Sequence, residues 1–237
     1  MKSSTIRVSR VVVDGILVLM FTILGFLVMG YHPGLEDDGV YLSAVKADLD
    51  PALYPHDSDF FRLQLQASIF DRWIALFVRV TRIPVAWAEL LWQFLSLYGI
   101  LWSALRIAQK LFPERRSPWA GIALLAAMFT LPVAGTALNL ADQHLHPRTM
   151  AAALILLAID RILENKRALA VPLLLLSLLV HPIMAVFGIS FCFFLALVLN
   201  DRFYLSLRSH LSRVPNSSTP LAAALPLGWI FEPPTPT

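Results

Sequence analysis

The sequence predicts an all-α protein, a polytopic transmembrane helix bundle with a long first outer loop that contains membrane-parallel helices. Three observations lead to this fold class. Hydrophobic residues make up 57% of the 237 residues and charged residues only 15%, whereas soluble domains have about 45–50% and about 25%. Several apolar runs are long enough for a helix to cross a bilayer. The basic residues between these runs also alternate in abundance, as they do between cytoplasmic and outer loops.

The first apolar run, residues 11–30, has the length that a helix needs to cross a hydrocarbon core of about 30 Å. Lys2, Arg7 and Arg10 precede it, so a secretory signal peptide is the alternative interpretation. The run is long for a signal peptide, and it ends in LVMGYHPG without an A-x-A-like cleavage site. We therefore predict an uncleaved anchor with its N-terminus inside.

Further apolar runs predict five more spans, at about 85–105, 119–138, 149–163, 169–181 and 183–200. The last two come from one run that would overshoot the membrane as a single helix. His181 and Pro182 interrupt that run, so we interpret it as two short spans. The six spans define a transmembrane domain of residues 1–213. A Pro/Ser-rich tail, residues 214–237, follows, and we interpret it as truncated.

The distribution of Lys and Arg predicts the orientation of the bundle in the cytoplasmic membrane. With the N-terminus inside, thirteen of the nineteen basic residues lie in inner segments, as the positive-inside rule requires. Arg148 is the exception in a short outer loop. This distribution accounts for the net charge of +3 without a nucleic acid partner. The lipid bilayer is the partner that the composition implies.

The long outer loop, residues 31–84, has apolar residues at helical spacing near its end. These residues are Phe70, Trp73, Ile74, Phe77 and Val78, and charged residues separate them. The pattern predicts an amphipathic helix along the membrane surface. A helix packed against other parts of the same loop is the alternative.

The same loop opens with YHPGLEDDG, which places Glu36, Asp37 and Asp38 beside the membrane edge. A carboxylate in that position has a shifted pKa, and a neighbouring carboxylate shifts it further. Such a group can act as a general base, or bind a divalent cation through hard oxygen ligands. A solvated acidic turn is the alternative.

A second polar segment, ADQHLHPRT, places His144, His146 and Arg148 just before the fourth span. A guanidinium there could hold a phosphate or a carboxylate. Two imidazoles in a His-x-His pair suit zinc, but no third ligand stands at a diagnostic spacing, so we assign no metal site. His181 is predicted to reach the same outer face, and Glu89 is an ionisable residue inside a span that could face this site.

These features resemble the C-type glycosyltransferase superfamily of multi-span membrane enzymes, in particular the N-terminal half of its bacterial members. Such enzymes begin with a cytoplasmic N-terminus and one span, followed by a long outer loop that opens with an acidic motif and contains membrane-parallel helices. Here Glu36-Asp37-Asp38 and residues 69–82 stand at those positions. The segments HPRTMAAALILLAIDRIL and LLLLSLLVHPIMAVFG are similar to the middle bundle of these members.

The resemblance implies transfer of a sugar from a polyprenyl-phosphate-type lipid donor at the outer membrane face. It implies that Asp37 or Asp38 is the catalytic base with Glu36 as support, and that Arg148 contacts the lipid phosphate. In some members an acidic residue of this loop holds a metal, so a divalent cation is a candidate cofactor.

The other polar residues of the outer face, His144, His146, His181 and Glu89, are expected to bind substrate. The chain departs from the family pattern, because it has about six spans where members usually have eight or more. An inactive fragment of the family, or a non-enzymatic transporter or scaffold subunit, is therefore the alternative function. A membrane metalloprotein centred on His144 and His146 is a third.

Overall fold

Nine α-helices form the regular elements in the part of the chain that the computed structural model describes, which is residues 2–56, 58–131, 139–200, 203 and 205. They are α1 (Lys2–Met29), α2 (Asp38–Leu49), α3 (Ser58–Ala67), α4 (Phe70–Thr81), α5 (Val85–Leu111), α6 (Arg116–Ala127), α7 (Pro147–Leu163), α8 (Arg167–Val180) and α9 (Pro182–Val198). The predicted all-α class is confirmed. One compact unit covers Met1–Phe193, and a second unit begins at Phe194 inside α9.

Two helices among the described residues are long and apolar enough to cross a membrane. They are α1 over Arg10–Met29, with a mean hydropathy of 2.7, and α5, with a mean hydropathy of 1.3. The helices α8 and α9 are apolar but shorter, with 14 and 17 residues. Core helices of soluble proteins and signal sequences also combine this length with this composition, so the six-span bundle stays a prediction.

Several helices present apolar side chains to their surroundings. Only 17% of the apolar window of α1 is buried, and Leu27 and Val28 are 70% and 71% exposed. Leu175 of α8 and Phe187 of α9 are also exposed. Soluble monomers rarely expose contiguous apolar patches, so these helix faces are weak evidence for association with a membrane.

The centre of the first unit is the packing of α5 against α1, α6 and α7. Small residues bring α5 close to α7: a Cβ added to Gly99 would lie 3.1 Å from the Cβ of Ala153. Buried Ser96 and Ser103 lie about one turn away from Gly99 on either side. The Ser103 hydroxyl donates to the Gly99 carbonyl at 2.6 Å and is thereby satisfied within its own helix. Small residues of this kind allow helix backbones to approach closely.

The helices α5 and α7 run parallel in one register. Gly99 meets Ala153, Arg106 lies 3.9 Å from Asp160, and Lys110 lies 3.3 Å from Glu164, so each pair has the same sequence offset of 54 residues. Asp160 is fully buried. Its carboxylate pairs with Lys110 and Arg161, which offsets the cost of burying a charge. This ion network joins the C-terminal ends of both helices.

The break predicted at His181 coincides with the end of α8. His181 has an extended backbone (φ −149°, ψ 92°) between the two helices. Its Nδ1 accepts a hydrogen bond from the Met184 N–H at 3.1 Å and so satisfies the start of α9. Pro182 is the first residue of α9. An N–H in the first turn of a helix has no intrahelical acceptor, so the missing N–H of proline costs no hydrogen bond there.

The predicted span at 119–138 is not one continuous helix, which corrects the prediction. The helix α6 ends at Ala127, and the Leu131 N–H donates to the Met128 carbonyl in a turn. Ala141 lies next to the end of α6, since its N–H donates to the Phe129 carbonyl at 2.9 Å. Leu131 precedes Pro132 in the sequence, and the residue before a proline disfavours the helical conformation. The other boundaries differ by fewer residues, and the predicted tail, 214–237, lies outside the described residues.

The amphipathic segment of the long loop forms α4, which packs against α2 and α5. One face is buried and includes Phe70 and Ile74, whereas Leu76 and Val80 on the other face are 55% and 73% exposed. Packing against the same loop, the alternative considered above, therefore accounts for one face. The second apolar face remains free for a membrane surface, which stays a prediction.

Gly25 of α1 gives a direct test of this packing. A Cβ at Gly25 would lie 2.9 Å from the backbone oxygen of Ala126 and 2.9 Å from the Phe129 ring. Because a backbone atom cannot move aside as a side chain can, Gly25→Ala should lower the free energy of unfolding by about 1–3 kcal/mol. Thermal unfolding of the detergent-solubilised protein measures the effect.

The matched control is Gly121→Ala in α6, where a Cβ would meet no atom within 4 Å. Alanine is the better helix former, so this variant should be neutral or more stable by up to about 1 kcal/mol. Equal stabilities of the two variants would contradict the close approach of α1 to α6.

Candidate functional site

A cluster of polar side chains surrounds the N-terminal end of α7, and four chain segments contribute to it. We call it the polar cluster. Its members are Asp37, Asp38, Tyr41, Asp142, His144, His146, Arg148 and His181. The loop after α1, the start of α2, the loop before α7 and the break between α8 and α9 supply them.

Asp142 is the centre of the polar cluster. It is 6% exposed, and its carboxylate accepts hydrogen bonds from the Arg148 guanidinium and, at 3.2 Å, from the Thr149 hydroxyl. Its backbone carbonyl accepts a hydrogen bond from Gln93 Nε2 of α5 at 2.7 Å. The pairing explains why Arg148 interrupts the basic-residue pattern: this cation neutralises a buried carboxylate of its own loop.

His146 is held in one tautomer at the start of α7. Its Nδ1 accepts a hydrogen bond from the Arg148 N–H at 3.0 Å and caps the helix. An acceptor Nδ1 leaves the ring proton on Nε2, and Nε2 lies 3.8 Å from Oδ2 of Asp37. Burial lowers the pKa of His146 to about 4, although the charge of Asp142 opposes this shift. The imidazole is therefore neutral at pH 7, and its protonated Nε2 lies near Asp37 at a distance too long for a hydrogen bond.

Asp37 and Asp38 lie in different environments. The side chain of Asp37 is 76% exposed, whereas Asp38 is buried, and burial raises the pKa of its carboxyl. One oxygen of Asp38 accepts a hydrogen bond from the Gly34 N–H. The other is buried and has no hydrogen-bond partner among the residues described. Gly34 has a φ of 82°, which suits glycine best, so Asp38 closes a tight turn that presents Asp37.

The loop that carries the acidic motif is tied directly to the loop before α7. The His32 N–H donates to the Gln143 carbonyl at 2.7 Å, and the Gln143 side chain donates to the Met29 carbonyl at the end of α1. Glu36 is exposed and lines a cavity of about 30 Å³ together with His32 and His144. A cavity of this size has room for about one or two water molecules.

The remaining predicted residues lie around this centre. His144 is 3% exposed, and its ring centroid is 5.8 Å from that of His146. The ring of His181 lies 6.3 Å from His146. Glu89 is buried on the first turns of α5. Its charge acts on Tyr31, whose hydroxyl pKa is raised by burial and further by Glu89 and Asp38. All eight predicted site residues thus lie at one end of the helices.

Metal binding gains no support from the geometry. Within residues 2–56, 58–131 and 139–200, no group of three or more His, Cys, Asp or Glu side chains has an arrangement that could hold a metal ion. A divalent cation at the acidic motif, or zinc at the two histidines, therefore stays a hypothesis.

Sequence reasoning missed three residues that support the polar cluster. Tyr41 packs edge-on against His146 at 5.2 Å between ring centroids, Gln93 binds the Asp142 carbonyl, and Thr149 binds its carboxylate. The sequence could have indicated Gln93. It follows Glu89 by four residues in an apolar run, and residues at this spacing lie on the same face of a helix. Tyr41 also follows Asp37 by four residues.

The segment DLDPALYPHDSDFF, residues 48–61, also carries several acids and a histidine, and its described contacts lie outside the polar cluster. Asp48 pairs with Arg79 of α4 at 2.9 Å, and His56 is exposed. Its role in the described structure is to hold the end of α2 against α4.

Comparison with known proteins assigns no family to this chain. No protein-family model, no curated protein and no solved structure matches it. The geometry of the polar cluster is therefore the basis for assigning a function, and the resemblance to C-type glycosyltransferases enters as a proposal.

Arg148 provides a test of the polar cluster as a structural unit. In Arg148→Gln the buried Asp142 carboxylate keeps the Thr149 hydroxyl but loses its counter-charge. Loss of one partner of a buried pair should lower the free energy of unfolding by about 3 kcal/mol. Chemical unfolding of the purified protein at pH 7 measures the loss.

Arg62→Gln is the control for that variant, because the Arg62–Asp59 pair has side chains 71% and 93% exposed. Removing an exposed pair should change the free energy of unfolding by less than about 0.5 kcal/mol. A comparable loss in both variants would rule out a special role for Asp142 burial.

Asp71 of α4 is another buried carboxyl, on a helix that packs against α2. Burial raises its pKa to about 7, although Gln64 Nε2 donates to its Oδ2 at 3.2 Å. The unfolded carboxyl has a pKa near 3.8, so the folded state retains its proton to a higher pH. The contribution of Asp71 to stability is therefore greatest below pH 4 and decreases as the pH rises to about 7.

Asp71→Asn should remove this pH dependence, since asparagine stays neutral and still offers an oxygen to Gln64. The stability of the variant relative to the natural protein should be near zero at pH 4 and rise to about 1–3 kcal/mol at pH 8. Unfolding midpoints at pH 4, 6 and 8 provide the measurement. Asp59→Asn, at an exposed site, should give a flat difference, and a flat difference for Asp71→Asn as well would refute the shifted ionisation.

Proposed function

We propose that this protein is a polytopic membrane protein that transfers a sugar from a polyprenyl-phosphate-type lipid donor to an acceptor hydroxyl at the outer membrane face. The observation that carries the proposal is the approach of Asp37 to His146. An exposed carboxylate from the loop after the first apolar helix meets a buried, neutral imidazole at the start of α7. An arginine engaged with a buried acid lies directly behind them.

Membrane embedding is supported by the separation of the polar groups into two ends. The polar cluster lies at the N-terminal end of α7, and the Asp160 network lies at its C-terminal end. The 17 residues of α7 span about 25 Å as a helix, close to the thickness of a hydrocarbon core. The exposed apolar faces of α1, α8 and α9 would contact lipid.

The orientation in this proposal follows the positive-inside rule. Four basic residues belong to the Asp160 network, namely Arg106, Lys110, Arg161 and Lys166. That end would lie in the cytoplasm, and the polar cluster would face outward. The N-terminus would then be cytoplasmic, and α1 would act as an uncleaved anchor.

Asp37 is the better candidate for the catalytic base, because it is accessible while Asp38 is committed to the turn. In the proposed reaction Asp37 takes the proton of the acceptor hydroxyl as its oxygen bonds to the anomeric carbon. The bond from that carbon to the lipid phosphate oxygen breaks, and the phosphate leaves with the electron pair. The Nε2 of His146 lies 3.8 Å from the Asp37 carboxylate, and a small movement of this exposed side chain would let the imidazole hydrogen-bond to it and orient it.

Arg148 would stabilise the departing phosphate. Its guanidinium has five N–H donors, and the structure uses one nitrogen of it for Asp142. The side chain is 21% exposed, so the remaining donors are accessible to a lipid phosphate. Glu36, His144, His181 and Glu89 would line the approach of the donor and acceptor.

A transporter or scaffold subunit is the second candidate, and one observation favours it. Glu89 is buried in α5 beside Asp38 and Tyr31, and buried ionisable groups within spans mark ion or proton pathways. In that case the carboxylates would bind or relay a cation, and no sugar would be transferred.

The decisive experiment is sugar transfer by purified protein in liposomes, with polyprenyl-phosphate-linked hexoses and pentoses as donors and membrane glycolipids as acceptors. Asp37→Asn should lower the rate by about 100-fold or more, because a positioned base contributes at least that factor. Asp38→Asn should lower the rate less and also lower the unfolding temperature.

Asp48→Asn is the matched control, since this residue lies on the same loop but pairs with Arg79, and its transfer rate should be normal. Undiminished transfer by Asp37→Asn, Asp38→Asn and their double variant would eliminate the proposed base. Cation uptake by liposomes without sugar transfer, lost in Glu89→Gln, would favour the transporter.

A further inference from the structure

A cavity at the opposite end of the helices from the polar cluster is lined by three arginines. It lies between the start of α1, the end of α5 and the start of α6, and its volume is about 530 Å³. Arg10, Arg106 and Arg115 line it, and Glu114 is its one acid. Phe112 and Trp119 provide apolar wall. The lining is therefore cationic and partly apolar.

Two of these arginines have no acidic partner among the described residues. Arg106 is paired with Glu164. In the part of the chain covered by the structure, neither Arg10 nor Arg115 forms an ion pair, and Glu114 accepts a hydrogen bond from the Ser117 hydroxyl at 3.2 Å. The cavity thus keeps an excess of positive charge that an anion of phosphate size would neutralise.

An apolar groove lies along α1 and α5. Its volume is about 400 Å³, and Val12, Ile16 and Leu19 of α1 face Phe94 and Tyr98 of α5 across it. Gly15 forms part of its floor. Val12 of the groove follows Val11 of the arginine cavity along α1, so the two features lie within one helical turn of each other, on neighbouring faces of that helix. A ligand with an anionic head and a hydrocarbon chain could place its head in the cationic cavity and its chain in the apolar groove.

We propose that these two features form a binding site for an anionic glycerophospholipid of the cytoplasmic leaflet. The phosphate head lies among Arg10, Arg106 and Arg115, and an acyl chain lies in the groove over Gly15. Basic pockets between helices on the cytoplasmic side suit such headgroups. The inference rests on membrane embedding in the stated orientation and is independent of sugar transfer. A free phosphate ion has the same anionic chemistry as the lipid head, but it has no acyl chain to occupy the groove.

The test is lipid binding to the full-length detergent-solubilised protein by native mass spectrometry, with dioleoyl phosphatidylglycerol, dioleoyl phosphatidylcholine and glycerol 1-phosphate as probes. Phosphatidylglycerol should bind at least about tenfold more tightly than phosphatidylcholine. Each arginine near an anionic headgroup contributes about fivefold in affinity, so the double variant Arg10→Gln/Arg115→Gln should lose about 25-fold.

The control is Arg62→Gln/Arg72→Gln, which removes the same charge from exposed positions on α3 and α4 and should bind phosphatidylglycerol normally. Gly15→Leu fills the groove and should weaken phosphatidylglycerol binding while leaving glycerol 1-phosphate unaffected. Should the double variant fail to accumulate, Arg115→Gln alone, with its loss of about fivefold, carries the test. Equal binding of the two phospholipids, an unchanged double variant, or glycerol 1-phosphate binding as tightly as the lipid would each overturn the proposal.

Discussion

The parallel packing of α5 against α7 determines where both polar ends of this protein lie. The register is set where Gly99 faces Ala153, and a Cβ at Gly99 would lie 3.1 Å from the Ala153 Cβ, so even alanine there would require a local shift of a few tenths of an ångström. With that contact in place, Gln93 reaches the Asp142 carbonyl at one end, and Lys110 reaches Asp160 at the other. The polar groups at both ends of these helices are therefore positioned by a single stretch of closely packed backbone.

The chemistry of the polar cluster follows from how its charges are compensated. Asp142 is paired with Arg148, and burial lowers the pKa of the adjacent His146, so that its imidazole is neutral at pH 7. Asp38 has no cationic contact of that kind among the residues that the structure describes, and burial raises the pKa of its carboxyl. Of the two aspartates, it is the exposed Asp37 that combines access to solvent with a nearby imidazole of fixed orientation.

Local sequence patterns predicted the elements whose ends are determined locally. Apolar runs and the His181-Pro182 step predicted α1, α5, α7 and the break between α8 and α9, because these depend on neighbouring residues. The end of α6 was missed because the Leu131-Pro132 step lies inside an apolar run and hydrophobicity alone carries no turn signal. The predicted site residues do lie near one another, but the partners of Asp142 and the difference between Asp37 and Asp38 depend on tertiary contacts. Asp37 and His146 are far apart in the chain, and no local pattern could relate them.

The break at His181 also determines how far α8 can extend across a bilayer. The 14 residues of α8 rise only about 21 Å, less than a hydrocarbon core of about 30 Å. In the proposed membrane orientation, a helix that begins at the cytoplasmic boundary would end several ångströms below the outer one, and His181 would lie at that level. The bilayer would thin locally around this point, or water would fill a depression above it. A long-chain lipid phosphate could then meet the imidazoles without leaving its leaflet, while a water-soluble acceptor would have to descend to reach it.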